Sequence, residues 1–311
     1  MSDRLIVTPP NEAIWHALRA EDITSTESSA LFDMSPYATR FELWHRKRSK
    51  QIVSIPDNER MRWGRRLQDA IAAGLAEDQG WVAEPMKEYI RLIDARMGAS
   101  VDWRMIDRTN RIGLFEIKNV DYLVFRDQWP EVDGELEAPA HIEVQLQHQL
   151  HVSGYEWGAI GVLVAGNSPR VLIRERDPEV GAAIEQRVRE FWQSVDAGQE
   201  PPPTMPDDAE FACKLYGYAE PGKVYDGRTD ADLAALCAEY QRALSAQKTA
   251  EEDKKVVQAK ILQRIGDAER ALLEGFTISA ALVGPAEIPA YTRKGYRGFR
   301  LTTKKVKEIA A

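Results

Sequence analysis

The sequence predicts an α/β protein in which a central mixed β-sheet is flanked by helices. Strand-like segments gather between about 88 and 175, and segments with apolar residues at helical spacing precede, interrupt and follow them. One of the strands, Gly158 to Ala165, is apolar at nearly every position, as expected of a strand covered on both faces.

Composition sets the outer bounds. A chain of 311 residues suits one large domain or two smaller ones. The formal charge of −8 argues against a general polyanion binder, so any nucleic-acid contact has to come from local basic patches or a shaped channel. No apolar run approaches the roughly 20 residues that span a bilayer, and the N-terminus lacks a signal-peptide core, so an intracellular protein without a membrane partner is expected. Cys213 and Cys237 are the only cysteines. A disulfide framework and a four-cysteine zinc or iron–sulfur site are therefore excluded within the chain.

Residues 11 to 50 read as helical. Ile14, Trp15 and Leu18 share one face of the first helix, and the run Asp22 to Leu31 supplies caps for a second. Hydroxyls at a helix N-terminus beside Arg19 suit a phosphate, because free N–H groups and the helix dipole favour an anion; an ordinary N-cap has the same pattern. Residues 38 to 49 end in Arg46, Lys47 and Arg48, a basic helix end that either steers DNA or is solvated. A third helix is expected over 59–79. Strands follow near 88–94, 100–106 and 113–120, then a loop over 126–139 rich in Asp, Glu, Gly and Pro. The helix over 140–153 carries Ile142, Leu146 and Leu150 as its apolar stripe, with Gln145 and Gln149 together on another face. His148 and His151 stand at i and i+3 but have no further ligand types nearby, so they read as polar helix residues rather than a zinc site. The strands at 158–165 and 170–175 pair, and a helix over 178–195 closes the unit.

Beyond it, 199–228 is a Pro-rich linker and connecting segment. Thr229 to Asp232 opens a helical stretch to about Leu273 with a capping-box variant. Its apolar stripe breaks over Gln247 to Lys255, so 229–274 is either one helix of roughly 60 Å or a hairpin. The tail, 275–311, turns to β character at Phe276–Ile278 and again at 298–302, with Tyr291, Tyr296 and Phe299 among basic residues. That mixture suits single-stranded nucleic acid or a small hairpin with its charges in water.

The chemistry gathers on one hairpin. Asp107-Arg108-Thr109-Asn110-Arg111 reads as a turn between two strands, and with Thr109 at its centre Asp102 and Glu116 stand equidistant, facing each other. Facing carboxylates repel, and a divalent cation between them reverses the sign. The strand period of two puts Lys118 on the same side as Glu116. A metal-dependent phosphodiesterase has this arrangement; alternating charge on a solvated strand face has it too.

Several patches then align with one family. Trp15-His16-Ala17-Leu18-Arg19, Ile23-Thr24-Ser25-Thr26-Glu27, Trp63-Gly64 with Ile71, Asp102, Glu116-Ile117-Lys118 and Gln145-Leu146-Gln147 occur in order. Over about residues 12 to 195 the chain resembles the YqaJ-type viral recombinases, phage exonucleases similar to lambda exonuclease, within the PD-(D/E)xK nuclease fold. The resemblance implies a restriction-endonuclease-like core over 1–198. It implies that Asp102, Glu116 and the Ile117 carbonyl bind Mg²⁺, with Mn²⁺ able to substitute. Lys118 would orient or help deprotonate the attacking water, and Gln145 would assist. Arg19 and Thr26, with Ser25 adjacent, would form a 5′-phosphate pocket. The implied activity is 5′→3′ digestion of one strand of linear double-stranded DNA, leaving 3′ tails for a single-strand annealing protein. The implied assembly is a ring-shaped homotrimer, and the implied setting a phage or prophage product in the bacterial cytosol.

Two departures stand out. The family's helix glutamate, four residues after Gly64, is Gln68 here, whose neutral amide can still hold a metal-bound water but attracts a second ion less; the proline before Asp102 is Val101. The first leaves the number of metal ions open. It also keeps a second reading alive, a DNA-end-binding scaffold weakened in catalysis, beside a third, an endonuclease or repair nuclease of the same fold.

Overall fold

A computed structural model describes residues 4–50 and 58–284. The chain forms two compact units, Met1–Ala212 and Cys213–Ala311. The first begins with β1 (Arg4–Val7), α1 (Glu12–Glu21), β2 (Ile23–Thr24), a 3-10 turn over Ser28–Phe32, α2 (Arg40–Arg48) and α3 (Glu59–Gln79). Next come β3 (Val82–Pro85), β4 (Tyr89–Leu92), β5 (Met97–Ser100), β6 (Trp103–Ile106), β7 (Ile112–Val120) and α4 (Tyr122–Gln128). A small hairpin, β8 (Glu131–Val132) and β9 (Glu135–Leu136), leads to α5 (Ala140–Ser153), β10 (Trp157–Val164), β11 (Ser168–Glu175) and α6 (Pro178–Ala197). The helix α7 (Ala209–Leu215) follows.

The fold is mixed α/β, as expected, but the strands form two main sheets rather than one. Five strands are ordered β11-β10-β7-β6-β3, with β7 and β10 parallel and the other pairs antiparallel. The other sheet runs β1-β4-β5-β2. The segment expected as a single strand over 100–106 is split: β5 ends at Ser100, β6 begins at Trp103, and Asp102 sits at the bend where the chain passes from one sheet to the other. Two short strands flanking a bend have the same composition as one longer strand, so the break is set by long-range pairing.

Helix α5 lies between the sheets. Its predicted stripe, Ile142, Leu146 and Leu150, packs with Leu114, Ile160 and Val162 of the five-stranded sheet. Val152 and Val144 join Ile90, Leu92, Ala99 and the α6 residues Ile184, Val188 and Phe191. Burial on two sides explains why Gln145, Gln147, His148 and Gln149 are also buried, each held by a specific partner. His148 Nε2 meets the Gly98 carbonyl at 3.1 Å, and His151 Nε2 meets Glu185 at 2.8 Å. Both are structural contacts. Helix α3 covers the opposite face of the five-stranded sheet, where Ile71 and Leu75 pack on Phe115, Ile117 and Ala159. Gly161 belongs to this contact: a Cβ there would lie 2.6 Å from the Phe115 ring and 2.8 Å from Leu75.

The run Asp22 to Leu31, expected to cap the start of a second helix, does not open one. In its place stand β2, which pairs in parallel with β5, and the five-residue 3-10 turn. The polar stretch folds this way because Asp22 is buried in a bidentate ion pair with Arg91 at 2.6 and 2.7 Å, beside the Tyr89 hydroxyl. The basic end of α2 is neither solvated nor presented to a ligand as a whole. Lys47 is buried, and its ammonium donates to the Arg19 and Asp22 carbonyls and to Glu27.

Residues 199–212, linker by their prolines, belong to the first unit. Asp208 is buried and accepts from Thr39 at 2.5 Å and from the Thr204 amide at 2.6 Å. In the second unit the polar interruption does not break the helix: α8 (Ala231–Ile265) is continuous, with no buried residue. It ends before Leu273. Leu272, which extends the helical stripe by spacing, lies instead in β12 (Arg270–Leu273), paired with β13 (Phe276–Ser279). The expected strand at 298–302 and the basic tail from 289 onward lie outside the described residues.

Candidate active site

The hairpin between β6 and β7 is closed by its own turn chemistry. Asp107 Oδ1 accepts from the Thr109 amide at 2.8 Å, its hydroxyl at 2.7 Å and the Arg111 amide at 2.9 Å, while Asn110 adopts a left-handed φ of 63°. Those bonds hold the Asp107 carboxyl well below its usual range. The turn fixes the register: Trp103 pairs with Phe115, and one step beyond the ladder Asp102 faces Glu116. Phe115 and Ile117 enter the α3 core. The alternation therefore sends Glu116 and Lys118 to the α5 side.

Glu116 is buried and fully engaged. Its Oε1 accepts from Lys118 Nζ at 2.6 Å and from Gln145 Nε2 at 2.6 Å, and its Oε2 from Gln149 Nε2 at 2.7 Å. Lys118 also reaches Gln145 Oε1 at 3.3 Å. Asp102 is half-buried and accepts from the Ile117 amide at 3.1 Å. Burial first, and the Glu116 charge second, push the Asp102 carboxyl up to about 7 against the opposing pull of the Ile117 amide, Lys118 and Gln68. Burial depresses Lys118, but the charge of Glu116 and its hydrogen bond more than offset this and raise the ammonium above its ordinary range.

Two carboxylates and one ammonium leave this corner electrically short of a cation. Asp102, Glu116 and the Ile117 carbonyl are the oxygens that would hold a hard divalent ion. Among the described residues no group of three His, Cys, Asp or Glu forms a metal cluster. A glutamate at the Gln68 position is what a three-carboxylate site would need there; Gln68 instead contributes a hydrogen bond that favours the charged form of Asp102.

The structure also brings Arg19 and Thr26 together, with Arg19 Nη2 3.4 Å from the Thr26 hydroxyl and its guanidinium 4.4 Å from the Trp15 ring centre. Among the described residues no α-helix N-terminus stands beside them, since only a 3-10 turn follows. Ser25 is buried, and its carbonyl accepts from Ser28 Oγ at 2.9 Å. The corner is held from below by Glu27, which accepts from the Thr24 amide and hydroxyl at 2.9 and 2.8 Å and from Lys47 at 2.9 Å.

Three participants were not evident as site residues from sequence. Gln149 bonds Glu116 and also donates to the Ser100 carbonyl at 3.1 Å. Ser100 Oγ in turn accepts from Trp15 Nε1 at 2.9 Å. The i, i+4 spacing of Gln145 and Gln149 was the available signal for one of them; nothing local marks Ser100.

Residues 14–156 match the family model of the YqaJ-like viral recombinase domain. Every site residue named above falls inside the matched stretch. A Bacillus subtilis (strain 168) protein named YqaJ, itself uncharacterized, is 28% identical over 217 residues, which span 68% of this chain and 66% of that protein. Among solved structures, the alkaline exonuclease of Laribacter hongkongensis is similar over 65% of this chain and 99% of its own, at 19% identity and a TM-score of 0.47. Its complex with dAMP gives 20% identity and the same TM-score. A phage-related exonuclease from Haemophilus somnus 129PT is similar over 61% of this chain and 89% of its own, at 13% identity and a TM-score of 0.35. Among the described residues, no helix is long and apolar enough to cross a membrane.

Proposed function

We propose that the protein is a metal-dependent 5′→3′ exonuclease acting on linear double-stranded DNA and leaving 3′ single-stranded tails. The observation that carries this is the facing pair Asp102 and Glu116 with Lys118 bonded at 2.6 Å to the second, inside the stretch that matches the YqaJ-like family model. When bound between the carboxylates, Mg²⁺ or Mn²⁺ supplies positive charge that activates water and offsets charge developing on the phosphate.

The chain's own residues do the rest. Lys118 lies against Glu116, where an ammonium orients an incoming water and stabilises the extra negative charge of the transition state. Gln145 donates to Glu116 and accepts from Lys118, fixing the two relative to each other. Arg19 and Thr26 offer a terminal 5′-phosphate a guanidinium fork and a hydroxyl. The 3′ tail would pass to a single-strand annealing protein, and a homotrimeric ring would retain duplex DNA despite the acidic net charge.

Digestion of a linear duplex with a 5′-phosphate, the same duplex with a 5′-hydroxyl, and a covalently closed circle, all in Mg²⁺, tests the reading. The phosphorylated duplex should be consumed fastest and the circle should survive. Equal degradation of the circle would overturn the exonuclease reading in favour of an endonuclease of the same fold. Absence of nucleotide release from every substrate would leave a DNA-end-binding scaffold, the reading that Gln68 favours.

A further inference from the structure

Two clusters with separate tasks, Arg19 with Thr26 and Asp102 with Glu116, are joined by an unbroken series of contacts. The Arg19 guanidinium lies 4.4 Å from the centre of the Trp15 ring. The indole N–H of Trp15 donates to Ser100 Oγ at 2.9 Å, and the Ser100 carbonyl accepts from Gln149 at 3.1 Å. The same Gln149 amide group donates to Glu116 Oε2 at 2.7 Å. Ser100 ends β5, immediately before the bend that carries Asp102.

The orientation of the Gln149 amide follows from its partners. A carboxylate oxygen and a peptide carbonyl are both acceptors, so only the NH₂ group can face them. Its Oε1 is consequently buried without a hydrogen-bond partner among the described residues. An unpaired buried acceptor is unfavourable. Leucine would fill the volume without it, so what glutamine supplies here is the pair of donations.

We propose that Trp15, Ser100 and Gln149 form a positioning chain that holds the Glu116 carboxylate at a fixed separation from Arg19, and that this separation determines which phosphodiester is cut. With the terminal phosphate of a strand on Arg19, a rigid spacing presents one bond, and only one, to Glu116 and Lys118. The inference rests on the exonuclease reading for its substrate but makes a separate claim about the metal site. Gln149 acts through Glu116, and Trp15 acts through Arg19 and Ser100.

Two variants of the full chain test it, with Mn²⁺ binding followed by titration calorimetry, thermal melting as a check of folding, and digestion of 5′-phosphorylated and 5′-hydroxyl duplexes with product lengths read by mass spectrometry. Gln149→Leu should weaken Mn²⁺ binding by roughly tenfold, the usual effect of losing a group that orients a ligand, and lower kcat with KM for DNA ends unchanged. Trp15→Phe keeps the ring but loses the N–H. It should leave Mn²⁺ affinity intact, reduce the preference for 5′-phosphorylated ends, and add di- and trinucleotides to the products. Wild-type Mn²⁺ affinity in a folded Gln149→Leu protein would overturn the proposal, and so would wild-type end preference and product length in Trp15→Phe. Should Gln149→Leu not fold, the Trp15→Phe outcome decides. Should the wild type release no nucleotides, the exonuclease reading fails, while the Mn²⁺ arm still decides the role of Gln149.

Discussion

Two pairs of acidic residues flank β5 and are treated in opposite ways. Asp22 and Glu27 each have a cation of their own within the chain: Arg91 grips Asp22 with two hydrogen bonds, and Lys47 lies 2.9 Å from Glu27. Burial pushes the Glu27 carboxyl up, and the Lys47 charge and hydrogen bond pull it below its usual range. Among the described residues Asp102 and Glu116 share one ammonium and are otherwise met by neutral amides, and the Asp102 carboxyl rises to about 7. The first pair is a finished structural element. The second carries a charge imbalance that the folded chain leaves for something else to correct.

The largest effect should come from Lys118→Ala, which removes the ammonium in contact with the second pair. Nucleotide release from a 5′-phosphorylated duplex should fall by about 10³-fold, the upper range for loss of one electrostatic stabiliser. Full activity in that variant would show the pair to be structural after all. Asp22→Asn strikes the finished pair instead. Breaking a buried ion pair on one side costs about 3 kcal/mol or more, read as a lower midpoint in urea, and Asp22→Asn should be the more harmful of the two Asp→Asn changes to stability. Asp102→Asn should have the opposite sign. A carboxyl whose folded pKa is raised takes up protons on folding, so metal-free stability is lost as pH rises from about 4 through about 7. The variant escapes that loss, and at pH 8 in EDTA it should melt at a higher temperature than wild type. At pH 4 the two melting curves should converge. A variant less stable at pH 8 would contradict the imbalance.

The hairpin of Asp102 and Glu116 was legible because its information is local. Asp107, Thr109, Asn110 and Arg111 specify the turn, and the turn specifies the register. The spans of α3 and α5 were legible for the same kind of reason, through sequence-local spacing, and in the structure Asn58 caps α3 by accepting from the Met61 amide. What local pattern could not supply was the destination of polar side chains. Lys47 has the sequence context of a solvated basic helix end, yet it is buried on carbonyls from α1 and its exit. Gln149 was visible beside Gln145 on one helix face, but its bond to Ser100 depends on α5 being sandwiched between two sheets, and the second sheet was not anticipated. The hydroxyl run at Thr24–Ser29 became a strand and a 3-10 turn because β2 pairs with β5, a contact made across more than seventy residues of chain.

The bare backbone at Gly161 bears on how loss-of-function variants should be interpreted. Gly161 pairs with Ile117 and leaves room for the Phe115 ring, whose neighbour in sequence is Glu116. Any side chain added there would have to displace that ring and with it the strand carrying both Glu116 and Lys118. A mutational scan scored only on DNA digestion would flag Gly161 alongside Lys118, although Gly161 has no side chain and lies against Phe115 and Leu75. Hits on β10 would therefore mark the mounting of the reactive strand, and genetics alone would enlarge the apparent catalytic set beyond the residues that perform chemistry.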